Sequence, residues 1–172
     1  MNAALILTAA LDDKAFAHFD DLRQRYYPKE RNVVPAHVTL FHALPTNHEP
    51  RIRDILIHFC DTTPVLPGKA TRPRKLNEGV AFELEAEELA LLQFKLKEAF
   101  GGWCTAQDRL PYKPQVTIAN HLPPAEARLL FETMQLRHSP FEVSFMGIEM
   151  WRYTGGPWQP IERIDFVPPL PG

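Results

Sequence analysis

A nine-residue segment of this chain occurs twice. His37-Val38-Thr39-Leu40 through Leu44-Pro45 aligns without a gap on Gln115-Val116-Thr117-Ile118 through Leu122-Pro123, at a constant offset of 78. Four of the nine positions are identical, and Leu40 against Ile118 is a close pair. Similar segments flank both copies, which argues for a duplicated frame of two like halves packed about a pseudo-twofold axis. The 172 residues suit one domain, or two small lobes sharing a core, and the repeat favours a single bilobal domain over 1–172. A chain of that length buries roughly 70% of its unfolded surface and needs no staples.

The hydrophobic spacing predicts the elements of both halves. Ala4 to Ala10 is an apolar run too short for a helix and is followed by acids. Asp12 then caps a helix carrying Phe16, Phe19, Leu22, Arg23 and Tyr26 until Pro28 stops it. The first motif strand follows Pro35, and a second helix runs from Glu49 to Cys60. Pro64, Pro67, Gly68 and Pro73 predict irregular or edge-strand structure before an Asn77-Glu78-Gly79 turn. The order then returns: strand Val80 to Leu84, helix Glu87 to Phe100, the second motif strand over Gln115 to Asn120, and a helix carrying Leu129, Leu130 and Met134. Phe141 to Trp151 and Ile161 to Val167 read as a hairpin, with a Pro-Pro-Leu-Pro-Gly tail. The expected class is α/β (α+β): two pseudo-twofold related lobes of antiparallel sheet plus helices around a central cleft.

Composition narrows the function. With 19 basic and 21 acidic side chains and a net charge of −2, the chain has no global field for gripping duplex DNA. Cys60 and Cys104 suit free buried thiols better than a disulfide framework. Ala3 to Leu11 lacks a basic flank and reads as a buried strand, not a signal peptide. No stretch reaches the ~18 apolar residues of a membrane span. These features predict a cytoplasmic protein without a membrane partner; the oligomeric state stays open.

Residues two apart on a strand face the same way, so His37 and Thr39 present an imidazole and a hydroxyl together. Gln115 and Thr117 repeat the arrangement. Four such side chains meeting across a cleft would suit phosphoryl chemistry, with the imidazole moving protons and the hydroxyls donating to phosphate oxygens. Metal binding has little support, because strict alternation points His37 and His42 to opposite faces of one strand. Lys69, Arg72, Arg74 and Lys75 put four cations in seven residues. They read as phosphate attraction, with Arg72 and Arg74 on one face, or as a solvated edge strand. Trp151 and Tyr153 near the last turn read as base-stacking platforms or as core packing.

Pro35-Ala36-His37-Val38-Thr39-Leu40 and Lys113-Pro114-Gln115-Val116-Thr117-Ile118 resemble the two motifs of the 2H phosphoesterase superfamily, which includes bacterial 2′-5′ RNA ligase-like proteins. The resemblance implies a two-lobed α/β fold, no metal or other cofactor, and a nucleotide or RNA end carrying a phosphodiester as substrate. Two histidines would act as general base and general acid on 2′,3′-cyclic phosphates or 2′-5′ linkages. His37, Thr39 and Thr117 match their motif positions. Gln115 stands where the pattern has histidine, and an amide cannot shuttle a proton. Three readings follow: a slowed phosphodiesterase, a non-catalytic binder of nucleotide or RNA ends, or an enzyme whose second acid has moved. His121 is the candidate for a moved acid, in phase with Gln115 but about 20 Å along a straight strand, and reads otherwise as a turn residue before Leu122-Pro123.

Overall fold

The computed structural model describes residues 3–169. The first half runs β1 (Ala4–Leu11), α1 (Asp13–Tyr26), β2 (Val38–Pro45), α2 (Glu49–Cys60) and β3 (Leu66–Lys75). The second runs β4 (Val80–Glu85), α3 (Glu87–Phe100), β5 (Gln115–Ala119), α4 (Pro124–Arg137) and β6 (Phe141–Tyr153), and β7 (Gln159–Asp165) follows. Local chemistry sets the ends. Asp12 caps α1 by accepting the Ala15 amide at 2.9 Å. Gly101, at φ 54°, turns the chain out of α3, and Pro124 sits in the first turn of α4. The tail from position 170 onward lies outside the described residues.

Every pairing between these strands is antiparallel, in the order β2-β1-β6-β3-β4-β5, with β7 beside β6. Exchanging β1 with β4, β2 with β5 and β3 with β6 reverses that order and leaves it otherwise unchanged. The duplication is therefore visible as topology. Each half has also traded its last strand: β6 pairs with β1 and β3 with β4. The two traded strands pair with each other through Leu66–Ala70 and Phe141–Phe145, joining both lobes into one hydrogen-bonded sheet.

Sequence predicted irregular or edge structure where β3 is a ten-residue strand at the centre of the sheet. Its prolines explain how both descriptions arise. β6 pairs Leu66 to Ala70, whereas β4 pairs Lys69 to Lys75. Pro67 and Pro73 each lie where β3 has one neighbour only, so the missing N–H costs no ladder bond on an absent side. β3 is an edge twice, on opposite sides.

The helices cover one face of this sheet. Leu5, Leu7, Ala9 and Leu11 of β1, Val80, Phe82 and Leu84 of β4, and Val116 and Ile118 of β5 pack there against Phe19, Ile52, Leu56, Leu89, Leu96 and Met134. Leu129, expected beside Leu130 and Met134, is instead exposed. Cys60 and Cys104 are free and buried, and burial pushes the Cys60 thiol up to about 12. Among the described residues no helix is long and apolar enough to cross a membrane.

Candidate active site

Residues that alternate with these core positions line a cleft of about 530 Å³. Thr39 reaches it from the outer strand of one half and His37 from the residue just before that strand, and Gln115 and Thr117 reach it from the outer strand of the other. All four side chains therefore share one cavity, as the duplicated frame requires. The two outer strands, at opposite ends of the sheet order, face one cleft.

His37 Nδ1 lies 2.8 Å from the Pro35 carbonyl oxygen. A carbonyl only accepts, so Nδ1 carries the proton and Nε2 keeps its lone pair. The Trp158 ring packs against the imidazole at 4.7 Å between centroids, and Trp151 stands behind Trp158 at 6.0 Å. Burial lowers the His37 pKa to about 4, against the opposing effect of the Pro35 hydrogen bond. The ring is neutral at pH 7, with the Nε2 lone pair unprotonated.

Across the cleft, Arg74 Nη1 donates to Gln115 Oε1 at 2.8 Å. Arg74 pairs in register with Ala81, and Ala81 with Thr117, so the long side chain passes over a methyl group to reach β5. With its oxygen taken, the Gln115 amide turns two N–H donors elsewhere, a suitable posture toward an anion. Lys113 adds a second cation to the lining. Tyr112 also lines the cleft, and its hydroxyl donates to the Thr39 main-chain oxygen at 2.8 Å. That bond ties the loop before β5 to the first motif.

Sequence alternation placed His42 on the face opposite His37, yet both line the cleft. The reason is a register slip in the β1–β2 ladder. Thr8 pairs with Thr39 and Leu7 with Phe41, leaving Leu40 without a partner. Leu40 and Phe41 are both buried, two consecutive inward residues, and the alternation changes phase there. His42 emerges on the cleft side with half of its side chain exposed. Its Nδ1 donates to Asp108 Oδ1 at 2.8 Å, and its main-chain amide donates to both carboxylate oxygens at 3.0 and 2.9 Å. Asp108 comes from a 3-10 turn at Gln107–Arg109 and is only 4% exposed. Burial alone would raise its carboxyl pKa, but the hydrogen bonds from His42 and the Ala43 amide outweigh it and hold the carboxyl below its ordinary range. Among the described residues, no three His, Cys, Asp or Glu side chains gather as metal ligands would.

Several expected positions fall elsewhere. Arg72 shares a strand face with Arg74 but pairs with Glu83 at 2.9 Å outside the cleft lining. Of the four cations in that run, Arg74 alone lines the cleft. Trp151 and Tyr153 are not in the lining either. Trp151 Nε1 donates to the buried Thr8 hydroxyl at 2.9 Å, and Tyr153 pairs with Ala4 at the end of β6. The tryptophan at the cleft is Trp158, which follows the Gly155-Gly156-Pro157 turn. β5 ends at Ala119, and His121 sits exposed in a turn at φ 61°, its ring edge toward Tyr27 rather than the cleft. A turn ends the strand that would have carried His121 in phase with Gln115.

A protein-family model described as the 2′-5′ RNA ligase superfamily matches residues 11–157, which include both motif strands. The chain belongs to this superfamily. Membership supports a phosphoesterase-like activity on the phosphate groups of nucleotides or RNA. Among solved structures, the chain is similar to TT0787 of Thermus thermophilus, at 17% identity and a TM-score of 0.68, over 96% of this chain and 98% of that one. A structure described as a phosphoesterase matches at 15% identity and a TM-score of 0.61, over 97% and 99%. E. coli LigT complexed with 3′-AMP matches at 14% identity and a TM-score of 0.59, over 97% and 99%. At these identities the likeness is one of fold. No curated protein matches the sequence.

Proposed function

We propose that the protein is a phosphodiesterase acting on 2′,3′-cyclic phosphate or 2′-5′-linked ends of nucleotides or RNA. The observation that carries this reading is the placement of His37 in one cleft with Thr39, Gln115 and Thr117. Its Nδ1 proton is committed to Pro35, and burial keeps Nε2 unprotonated at neutral pH inside a cleft that also holds Thr39 and Thr117. An imidazole so prepared is a general base for an attacking water or ribose hydroxyl. Thr39, Thr117 and the Gln115 amide would orient the phosphate, and Arg74 and Lys113 would offset its charge. A cavity of about 530 Å³ lies within the ordinary range for small-ligand sites. E. coli LigT, which shares the fold, is described in complex with 3′-AMP, a ligand of the size and charge that this lining suits.

Gln115 favours a second reading. It donates hydrogen bonds but moves no proton, so the same cleft would also serve a protein that holds nucleotide ends without turnover. Turnover of a 2′,3′-cyclic nucleotide, measured beside equilibrium binding on one preparation, separates the two. Hydrolysis by the unaltered protein and its loss in His37→Ala supports the enzyme. Binding without hydrolysis supports the holder, and absence of both sinks the cleft reading.

A further inference from the structure

A phosphodiesterase needs a proton for the oxygen that leaves, and nothing at position 115 supplies one. We propose that His42, held by the buried carboxylate of Asp108, is the second proton-transfer residue of the cleft. The inference rests on the phosphodiesterase reading above and names the acid that reading lacks.

The slip at Leu40 and the Asp108 carboxylate prepare His42. The register slip at Leu40 brings its side chain onto the cleft side of β2. The unpaired Leu40 carbonyl is met by the Nε2 amide of buried Gln93 at 3.4 Å, a cleft-lining residue of α3. Asp108 then accepts a hydrogen bond from Nδ1 and two from the His42 main-chain amide, fixing ring and backbone together. A carboxylate bound in this way can only accept, so Nδ1 is the inner donor and Nε2 is the atom left for the cleft. The arrangement is the orienting relation of a carboxylate behind a catalytic imidazole. His42 and His37 line the same cleft.

In the step itself, water oxygen forms a bond to phosphorus and gives its proton to His37 Nε2. The bond from phosphorus to one ribose oxygen breaks, and the Nε2 proton of protonated His42 passes to that oxygen. The products are a phosphomonoester and a ribose hydroxyl. His37 then releases its proton to solvent, and His42 regains one. No oxidant, reductant or further reactant is required.

The decisive experiment compares two substrates that differ in how much their leaving group needs a proton. A 2′,3′-cyclic nucleotide releases a ribose alkoxide and needs one; bis(p-nitrophenyl) phosphate releases p-nitrophenolate and does not. His42→Gln is expected to lose about 10²–10⁴-fold in kcat on the cyclic nucleotide, the usual worth of one acid–base group, and under about tenfold on the nitrophenyl ester. Asp108→Asn, a positioning change, should show the same split with a smaller loss. His37→Ala should lose activity on both. Equal losses from His42→Gln on both substrates, or no loss on the cyclic nucleotide, overturn the role of His42 while leaving the phosphodiesterase reading in place. No turnover of either substrate by the unaltered protein, or full activity in His37→Ala, overturns that reading and the inference with it.

Discussion

Arg23 Nη1 donates a 2.8 Å hydrogen bond to the main-chain oxygen of Thr117, from a side chain only 3% exposed. Its Nε donates to Asn32 Oδ1 at 3.2 Å, and the guanidinium lies 4.4 Å over the Tyr27 ring. One turn earlier on the same helix, Asp20 Oδ1 accepts the amide of Ala36, the residue before His37, at 3.0 Å. Helix α1 thus holds the backbone of both motifs, one through a cation and the other through a carboxylate. The two strands come from different halves and are not neighbours in the sheet. Helix α1 is hydrogen-bonded to both.

Arg23→Met should therefore lower stability by about 1–3 kcal/mol, the usual cost of stranding buried hydrogen-bond partners. Arg23→Lys should recover only part of it, because an ammonium lacks the planar fork that serves Thr117 and Asn32 together. Urea unfolding midpoints measure both, and an unchanged midpoint in Arg23→Met would remove α1 as the strut.

The protonation state of His37 makes stability depend on pH. Its folded pKa of about 4 lies below the ordinary value of 6.5, so between those values the unfolded chain binds more protons. The stability gained from keeping His37 neutral is fully present above about pH 6.5 and is lost as pH falls through about 4. Asp108, held below the ordinary carboxylate range, gives up its contribution at more acid pH still. His37→Gln should flatten the decline between pH 6.5 and 4 in a urea series. An undiminished slope would mean that the ring is not buried in its neutral form.

Trp158 is expected to have two separable effects. As a flat ring at the cleft it offers a stacking surface for a base, worth about 1–3 kcal/mol, so Trp158→Ala should weaken nucleotide binding roughly 5- to 150-fold. The same change exposes His37, whose pKa should rise from about 4 toward 6.5. Ring-proton NMR titration of His37 checks the second effect without any activity measurement. Weaker binding with an unmoved titration would leave stacking as the role of Trp158 and assign the burial of His37 to other neighbours.

Charge in the cleft should be read through Arg74 and Lys113, not Arg72. Each phosphate contact releases condensed counterions, so affinity for a short RNA end should fall with salt. Arg74→Ala and Lys113→Ala should each weaken binding and reduce the salt slope by about one. Arg72→Ala should change neither, because Arg72 is engaged with Glu83 away from the lining. A loss of slope in Arg72→Ala alone would move the phosphate path to the outer surface of β3.

Much of this protein is legible in local patterning. Asp12, Pro28, Gly101 and Pro124 bound helices because caps and breakers act within one turn, and the doubled Val-Thr segment reports duplication because like halves keep like spacing. His37 and Thr39 share a face because a strand repeats every two residues. The remaining features depend on pairings between residues far apart in the chain. Pro67 and Pro73 look like breakers until β6 and β4 are seen to flank different stretches of β3. Strict alternation turns His42 away from the cleft, and only the slip of the β1–β2 ladder at Leu40 brings it back. Its partner Asp108 arrives from 66 residues away, and Trp158 reaches His37 only because β7 folds back along β6. Spacing along the chain sets which way a side chain points within its own element. Which side chains meet is set by strand register and by the exchange of β3 and β6 between halves, and those are energies of long-range pairing that no local window contains.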